Sequence, residues 1–406
     1  MISFRIVCSG IFRKEMVTDM DTFVRKPSCL ESFFIDLDDC GCNMTFHYYL
    51  QLDRKPSIEL LDRTLRIMLT TTHKGINLQY HDDQTWHIAD EIPSVYVTEA
   101  DNDDVYMLEA HHLDCRKQTL SLNVIHTRSD LWFLCFDFFH GAVDGRSGIQ
   151  FMYDYFAALN GKDNRSSEFA MMDSDLVPVE HKFGSKKLPI PCWPVHTLKR
   201  GLPTGVGTDQ TLLLRTMTCT RSMAAKLANA VATCFNNHAK MIIPVDLRRF
   251  GANNKTLFGN LIVPIFVDAN TNRRIEDLRT EILSYVKDQS LLSATLNSLF
   301  FYNKINPKLR VSVLRRLIPV VMASKKFIIC ALVSPVGEIK SENLVCPEFS
   351  TEDVVLTFIS FPFTAFTVAS IQFKGQTNTT ISWHSGRVTQ AVANKLAYSI
   401  DKNLRT

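Results

Sequence analysis

An α/β architecture in two halves is predicted for this chain of 406 residues, and three observations predict it. Strand-like and helix-like segments are mixed in both halves, the pattern of α/β sandwiches. Between the halves, residues 162–210 hold five prolines and several glycines and form a poor core. Hydrophobic residues make up 46% of the chain, ample for a large core.

The first half runs over residues 1–161. Its N-terminal stretch is apolar but interrupted by Arg5, which fits a strand better than a signal peptide. Asn43 to Leu52 alternates like a strand. Ser57 then caps a helix whose apolar face is Ile58, Leu61, Leu65 and Met68. Thr119–His126 and Leu131–Phe139 are β-rich runs separated by Thr-Arg-Ser-Asp, a hairpin signal. A helix with Ile149, Met152, Tyr153 and Phe156 on one face follows. Residues 162–210 read as a long crossover linker.

The second half, 211–406, repeats the mixed pattern. Helices are predicted over 222–235, 275–299 and 307–323; Asn306 caps the last and Pro307 suits its first turn. Strands are predicted over 240–246, 260–267, 327–333, 354–373 and 377–384. Thr389 caps a final helix with Val392, Leu396 and Ile400 inward. Val354 to Phe373 carries no charge over twenty residues, but it is β-branched and aromatic, holds Pro362 and includes six Ser, Thr or Gln. It reads as two buried strands rather than a membrane span.

Net charge is +3, from 45 basic and 42 acidic residues, so nothing asks for nucleic acid or an anionic membrane as partner. Eleven cysteines without a framework or metal-ligand spacing point to reduced thiols, most of them small buried hydrophobes, in a cytoplasmic protein. No metal site is expected.

One segment carries chemistry. The apolar run from Leu131 ends abruptly at His140, and Asp144-Gly145 follows four residues later, before a helix. A strand end with a tight turn holds a side chain rigidly beside a cleft. An imidazole near its working pH takes a proton from an alcohol or amine. Gly145 permits an unusual backbone angle and a close approach of substrate, and Ser147 is placed to cap the helix.

His140, Asp144 and Gly145 match the His-x-x-x-Asp-Gly motif, and on these residues the sequence resembles the superfamily of CoA- or carrier-protein-dependent acyltransferases. That superfamily includes chloramphenicol acetyltransferase, peptide-synthetase condensation domains, plant BAHD acyltransferases and alcohol acetyltransferases. Phe139 stands where many members have a second His. Pro244-Val-Asp-Leu-Arg248 with Gly259-Asn260 is similar to the family's Leu-Arg segment and Gly-Asn strand. Ser334-Pro-Val-Gly337 is similar to its Ser-Asn-x-Gly turn, with Pro335 in place of Asn. No Asp-Phe-Gly-Trp-Gly occurs, and only Asn236 to Lys240 join the helix at 222–235 to the next strand, shorter than is usual in the family.

The resemblance implies two chloramphenicol-acetyltransferase-like subdomains forming a pseudo-dimer around a central tunnel. It implies His140 as the base that deprotonates the acceptor, and an aspartate turned from the cleft onto an arginine. Arg248 is the expected partner, Arg249 the second choice. The Gly145 N–H is expected to help stabilise an oxyanion, and Ser334 to donate within the cleft or serve only as a turn residue. No tightly bound cofactor is expected; acyl-CoA or acyl-phosphopantetheine is the co-substrate. Partners are a small-molecule acceptor and an acyl-CoA or acyl carrier protein, and the chain is expected to be monomeric, without a membrane span. The rival readings are a condensation-type, amide-forming enzyme and a catalytically silent binding or scaffold relative.

Other polar residues read as structural. His111-His112 with Asp114 lacks a preceding strand and glycine and reads as a solvated loop. His384 ends a strand. The phenylalanines of 358–366 read as core. No Gly-x-Ser-x-Gly elbow and no cysteine beside His140 offers a nucleophile, so direct attack without an acyl-enzyme is expected.

Overall fold

The computed structural model describes residues 24–405 apart from 108–110, 218–220, 251–256, 289–290, 293–294, 297–301, 325 and 359, and within 163–207 only 176 and 198. The expected N-terminal strand and nearly all of the expected linker lie outside the described residues.

Three sheets are formed. The first has five strands in the order β12-β2-β7-β6-β5, where β2 is Thr45–Leu52, β5 Tyr96–Ala100, β6 Leu120–Thr127, β7 Trp132–Phe139 and β12 Thr351–Phe358. The second has six in the order β10-β9-β11-β13-β14-β8, with β8 Asp209–Thr216, β9 His238–Asp246, β10 Ile262–Asn270, β11 Ala331–Glu338, β13 Phe366–Phe373 and β14 Gln376–His384. A small sheet joins β1 (Val24–Arg25), β4 (Trp86–Ile88) and β3 (Leu78–Tyr80). The chain is mixed α/β in two lobes, as expected.

Helices α1 (Cys29–Asp39), α2 (Ile58–Thr71) and α3 (Gly145–Leu159) pack on the first sheet through Phe34, Leu61, Leu65, Ile149, Met152 and Phe156. Helices α4 (Met223–Ala232), α5 (Ile275–Lys287) and α7 (Gln390–Arg405) cover the second sheet through Leu227, Val231, Leu278, Ile282, Leu396 and Ile400. Helix α6 (Pro307–Ala323) lies against α1. Strand β13 is buried on both faces: Phe366 and Val368 enter the second core, Ala369, Ile371 and Phe373 the first. That double burial is why 354–373 reads as a continuous apolar run. Strand β12, from the second half of the sequence, completes the first sheet at the free edge of β2.

The caps follow the sequence where side chains reach the first-turn amides. Ser57 accepts from the Leu60 N–H, Asn306 from Lys308, and Thr389 from Val392. Three segments differ from expectation. Helix α4 is shorter than 222–235, because Ser222 adopts a left-handed φ of 65° without capping and a turn with Asn236 and Asn237 at φ 51° and 67° leads into β9. Helix α5 stops at Lys287, where the Asp288 carboxylate takes the Leu291 N–H and opens a new helical start. Ser334-Pro-Val-Gly337 is not a turn; it lies within β11, whose register against β13 shifts between Pro335 and Gly337. Pro335 has no N–H to give the ladder.

Candidate active site

Strand β7 delivers His140 to the junction of the lobes. Its backbone is fixed from both sides: the His140 N–H donates to Met44 O at 2.8 Å, and Asn260 Nδ2 donates to His140 O at 2.7 Å. The ring lies between aromatic walls. Phe34 stacks on it with centroids 4.6 Å apart and planes 13° apart, while Phe46 and Phe358 stand 5.3 and 5.5 Å away. Part of the residue remains open to solvent. Nδ1 lies 3.2 Å from Val143 O. A carbonyl only accepts, so Nδ1 carries the proton and the neutral ring presents the lone pair of Nε2. Burial pushes the imidazole pKa down, against the opposing charge of Asp144, so the ring is held in its basic, neutral form.

Asp144 does not serve His140 as an orienting carboxylate. Its oxygens are taken by Arg248 Nη1 at 3.0 Å and Nη2 at 3.1 Å, by the Leu261 N–H at 2.7 Å and by the Ser147 N–H at 2.8 Å. Arg248 is thus the partner of Asp144, while Arg249 is exposed. The carboxylate is 1% exposed, so this is a buried, fully bonded charge joining the lobes. Burial opposes the Arg248 charge, but Asp144 and Asp246 outweigh it and raise the guanidinium pKa.

The expected cap at Ser147 is corrected. Asp144 caps α3, and Ser147 sits inside the first turn. The Ser147 hydroxyl donates to Gly259 O at 2.8 Å and accepts from the Gly259 N–H at 3.0 Å and from Arg248 Nη2 at 2.6 Å. Gly145 also differs from expectation: it is the first residue of α3 and its backbone is not left-handed. An added Cβ would meet Tyr48 Oη at 3.4 Å and Val336 at 3.5 Å, ordinary contacts, so the fold does not demand glycine there. Its N–H belongs to the first turn, which has no intrahelical acceptor, and its carbonyl accepts from Tyr48 at 2.7 Å. Ser334 is buried in β11 and makes no hydrogen bond to His140 among the described residues.

Sequence reasoning missed the roles of Tyr48, Asn260 and the rings around His140. Asn260 stood in a recognised segment, but only the lobe contact shows what its amide holds. Phe358 is core and also a wall of the site, and Phe361 and Phe363 pack around Phe33, beside Phe34.

A second polar cluster lies on β2, β6 and β7, where His47, Cys135 and Asp137 are close enough to hold a metal ion. Asp137 is bonded by His47 at 2.7 Å, His111 at 3.1 Å, Ser121 at 3.1 Å and Asn123 at 2.7 Å. Burial raises its pKa, but the bonds from His111 and His47 outweigh that and hold the carboxyl below the usual range. His111 and His112 lie in an exposed loop, as expected, but their rings are engaged: His111 bonds Asp137 and His112 bonds Asp38. The His47 Nε2 has no partner among the described residues, whereas a metal-ligating histidine anchors its second nitrogen. The cluster reads as a hydrogen-bonded buried carboxylate.

No protein-family model and no curated protein sequence matches the chain; the similarity is structural. The trichothecene 15-O-acetyltransferase TRI3 of Fusarium sporotrichioides is 10% identical with a TM-score of 0.63, covering 94% of each chain. F. graminearum TRI101, solved with coenzyme A and T-2 mycotoxin, is 10% identical with a TM-score of 0.62, covering 89% of this chain and 95% of its own. The epimerization domain from the third module of tyrocidine synthetase B is 12% identical with a TM-score of 0.58, covering 96% and 98%.

Proposed function

The chain shares the two-lobed fold of acetyltransferases and peptide-synthetase domains, and from that premise we propose that it moves an acyl group from a CoA or carrier-protein thioester to a hydroxyl or amine acceptor. One observation carries the reading: His140 sits at the junction of the lobes with its proton fixed on Nδ1 by Val143 O and the lone pair of Nε2 left to act.

Nε2 removes the acceptor proton as the acceptor oxygen or nitrogen attacks the thioester carbonyl. The carbonyl oxygen gains charge, and in this reading the first-turn N–H of Gly145 bonds it, with the α3 N-terminus adding its positive dipole end. Collapse breaks the C–S bond, and the leaving thiolate takes the proton from His140. Asp144 holds the turn through Arg248 rather than sharing the proton.

Direct attack fits the side chains at hand. Burial pushes the Cys42 thiol up to about 12 and Cys135 well above its ordinary value, so neither is a thiolate nucleophile. The Ser147 hydroxyl is occupied by Gly259 and Arg248. The test is mass spectrometry of the protein with a panel of acyl-CoAs, acyl-carrier protein and acceptors. Thioester-dependent acylated acceptor is expected; a stoichiometric acyl adduct on Ser or Cys that passes to acceptor would overturn direct attack.

A further inference from the structure

We propose that α6 is an interfacial helix that lays this protein on an anionic lipid surface. Its outward face is apolar over its whole length. Leu309, Val313, Leu317 and Val320 are 56%, 53%, 44% and 66% exposed. At about 100° per residue, spacings of four, eight and eleven place them within about 80° of arc, one continuous stripe. A surface helix of a globular protein normally turns such a stripe inward. Here a different face is turned inward: Leu314 joins the first core with Ile318 packed against it, and buried Arg310 bonds Asp36 of α1 at 2.7 Å and lies 4.7 Å over the Tyr302 ring. The stripe therefore faces out by construction, on a helix fixed at its N-terminus by Asn306.

Charge identifies the occupant. Residues 289–337 contain no Asp or Glu and seven Lys or Arg, whereas 42 acids in 406 residues would place about five in a stretch of 49. Lys308, Arg315 and Arg316 are exposed along one side of the stripe. The acids of the neighbouring α1 do not cancel them, since Asp36 is consumed by Arg310 and Asp39 is paired to Arg116 at 2.6 Å. A convex apolar stripe edged by cations matches the headgroup boundary of an anionic bilayer. At 17 residues with Lys and Arg among them, α6 lies on such a surface and does not cross it; no helix among the described residues is long and apolar enough to cross a membrane. Across α1 from Asp36, Phe34 stacks on His140, so docking through α6 sets the aromatic site about one helix away from the lipid surface.

The test is sedimentation of the full chain with vesicles of phosphatidylcholine alone and with phosphatidylserine added, without substrate, so its outcome is independent of acyl transfer. Binding to the anionic vesicles, weakened by salt, is expected. Leu309→Ser with Val313→Ser and Leu317→Ser should weaken it roughly tenfold or more, and Arg316→Gln roughly fivefold, with unchanged circular dichroism. Three results would overturn the proposal: wild type that stays in the supernatant with either vesicle, a triple variant that binds like wild type, or a stripe that instead mediates self-association by light scattering or captures acidic carrier protein while ignoring vesicles.

Discussion

At the scale of single residues, the proposed function assigns one group to react and several to hold it. His140→Ala is expected to lower acyl transfer about a hundredfold to ten-thousandfold with the protein still cooperatively folded, measured by product formation under saturating thioester. The pH profile carries a sign that can be checked. Burial lowers the His140 pKa, so the ring stays neutral, and active as a base, to a pH below the ordinary imidazole value near 6.5. The acidic limb of kcat/KM should therefore fall below that value; a limb above it would contradict the buried, neutral base. Gly145→Ala should fold normally, because the added methyl meets Tyr48 and Val336 at ordinary distances, yet lower kcat/KM if substrate approaches the Gly145 N–H. Asp144→Ala should cost about 1–3 kcal/mol by leaving the buried Leu261 and Ser147 N–H groups without their acceptor, while Arg248, 18% exposed, keeps Asp246, read as a shifted urea midpoint. Combining it with Arg248→Ala should cost less than the sum of the two single changes.

Among the elements, those with a complete local signal were legible. The β6–β7 hairpin, α2, α6 and α7 came from turn residues, caps and apolar period, and His140 from the strand that stops at it. Asp144–Arg248 was legible only through the family resemblance, since 104 residues separate the pair. What stayed hidden depended on contacts across the chain. Nothing local shows that Asn260 bonds His140 O, that the Phe34 ring covers the imidazole, or that β12 joins a sheet made by the other half. Gly148 passed unnoticed for the same reason, and Gly141 because the close approach of the Phe139 ring depends on how the turn folds back. A Cβ on Gly141 would sit 2.3 Å from the buried Phe139 ring, and one on Gly148 2.9 Å from Tyr48. Gly148→Ala is expected to destabilise by about 1–3 kcal/mol through overpacking, checked by equilibrium unfolding.

For the whole molecule, the lobes are coupled by a strand and by a charge. Strand β12 gives Val354, Leu356 and Phe358 to the first core, and Arg248, Gly259 and Leu261 clasp the turn after His140. A fragment ending at residue 161 should therefore fail to fold alone, exposing the β2 edge and an incomplete core; cooperative unfolding of that fragment would contradict this coupling. The coupling also explains how the imidazole is held between two lobes: Met44 O takes the His140 N–H from one and Asn260 bonds the His140 O from the other. In the proposed function this imidazole promotes acyl transfer from thioesters. The most direct measurement is the rate of thioester-dependent acceptor acylation by the wild-type chain and by His140→Ala, followed by mass spectrometry with both proteins shown to be folded. Acylated acceptor is expected from the wild type and at least about a hundredfold less from the variant; equal rates from the two folded proteins would contradict a general base at His140.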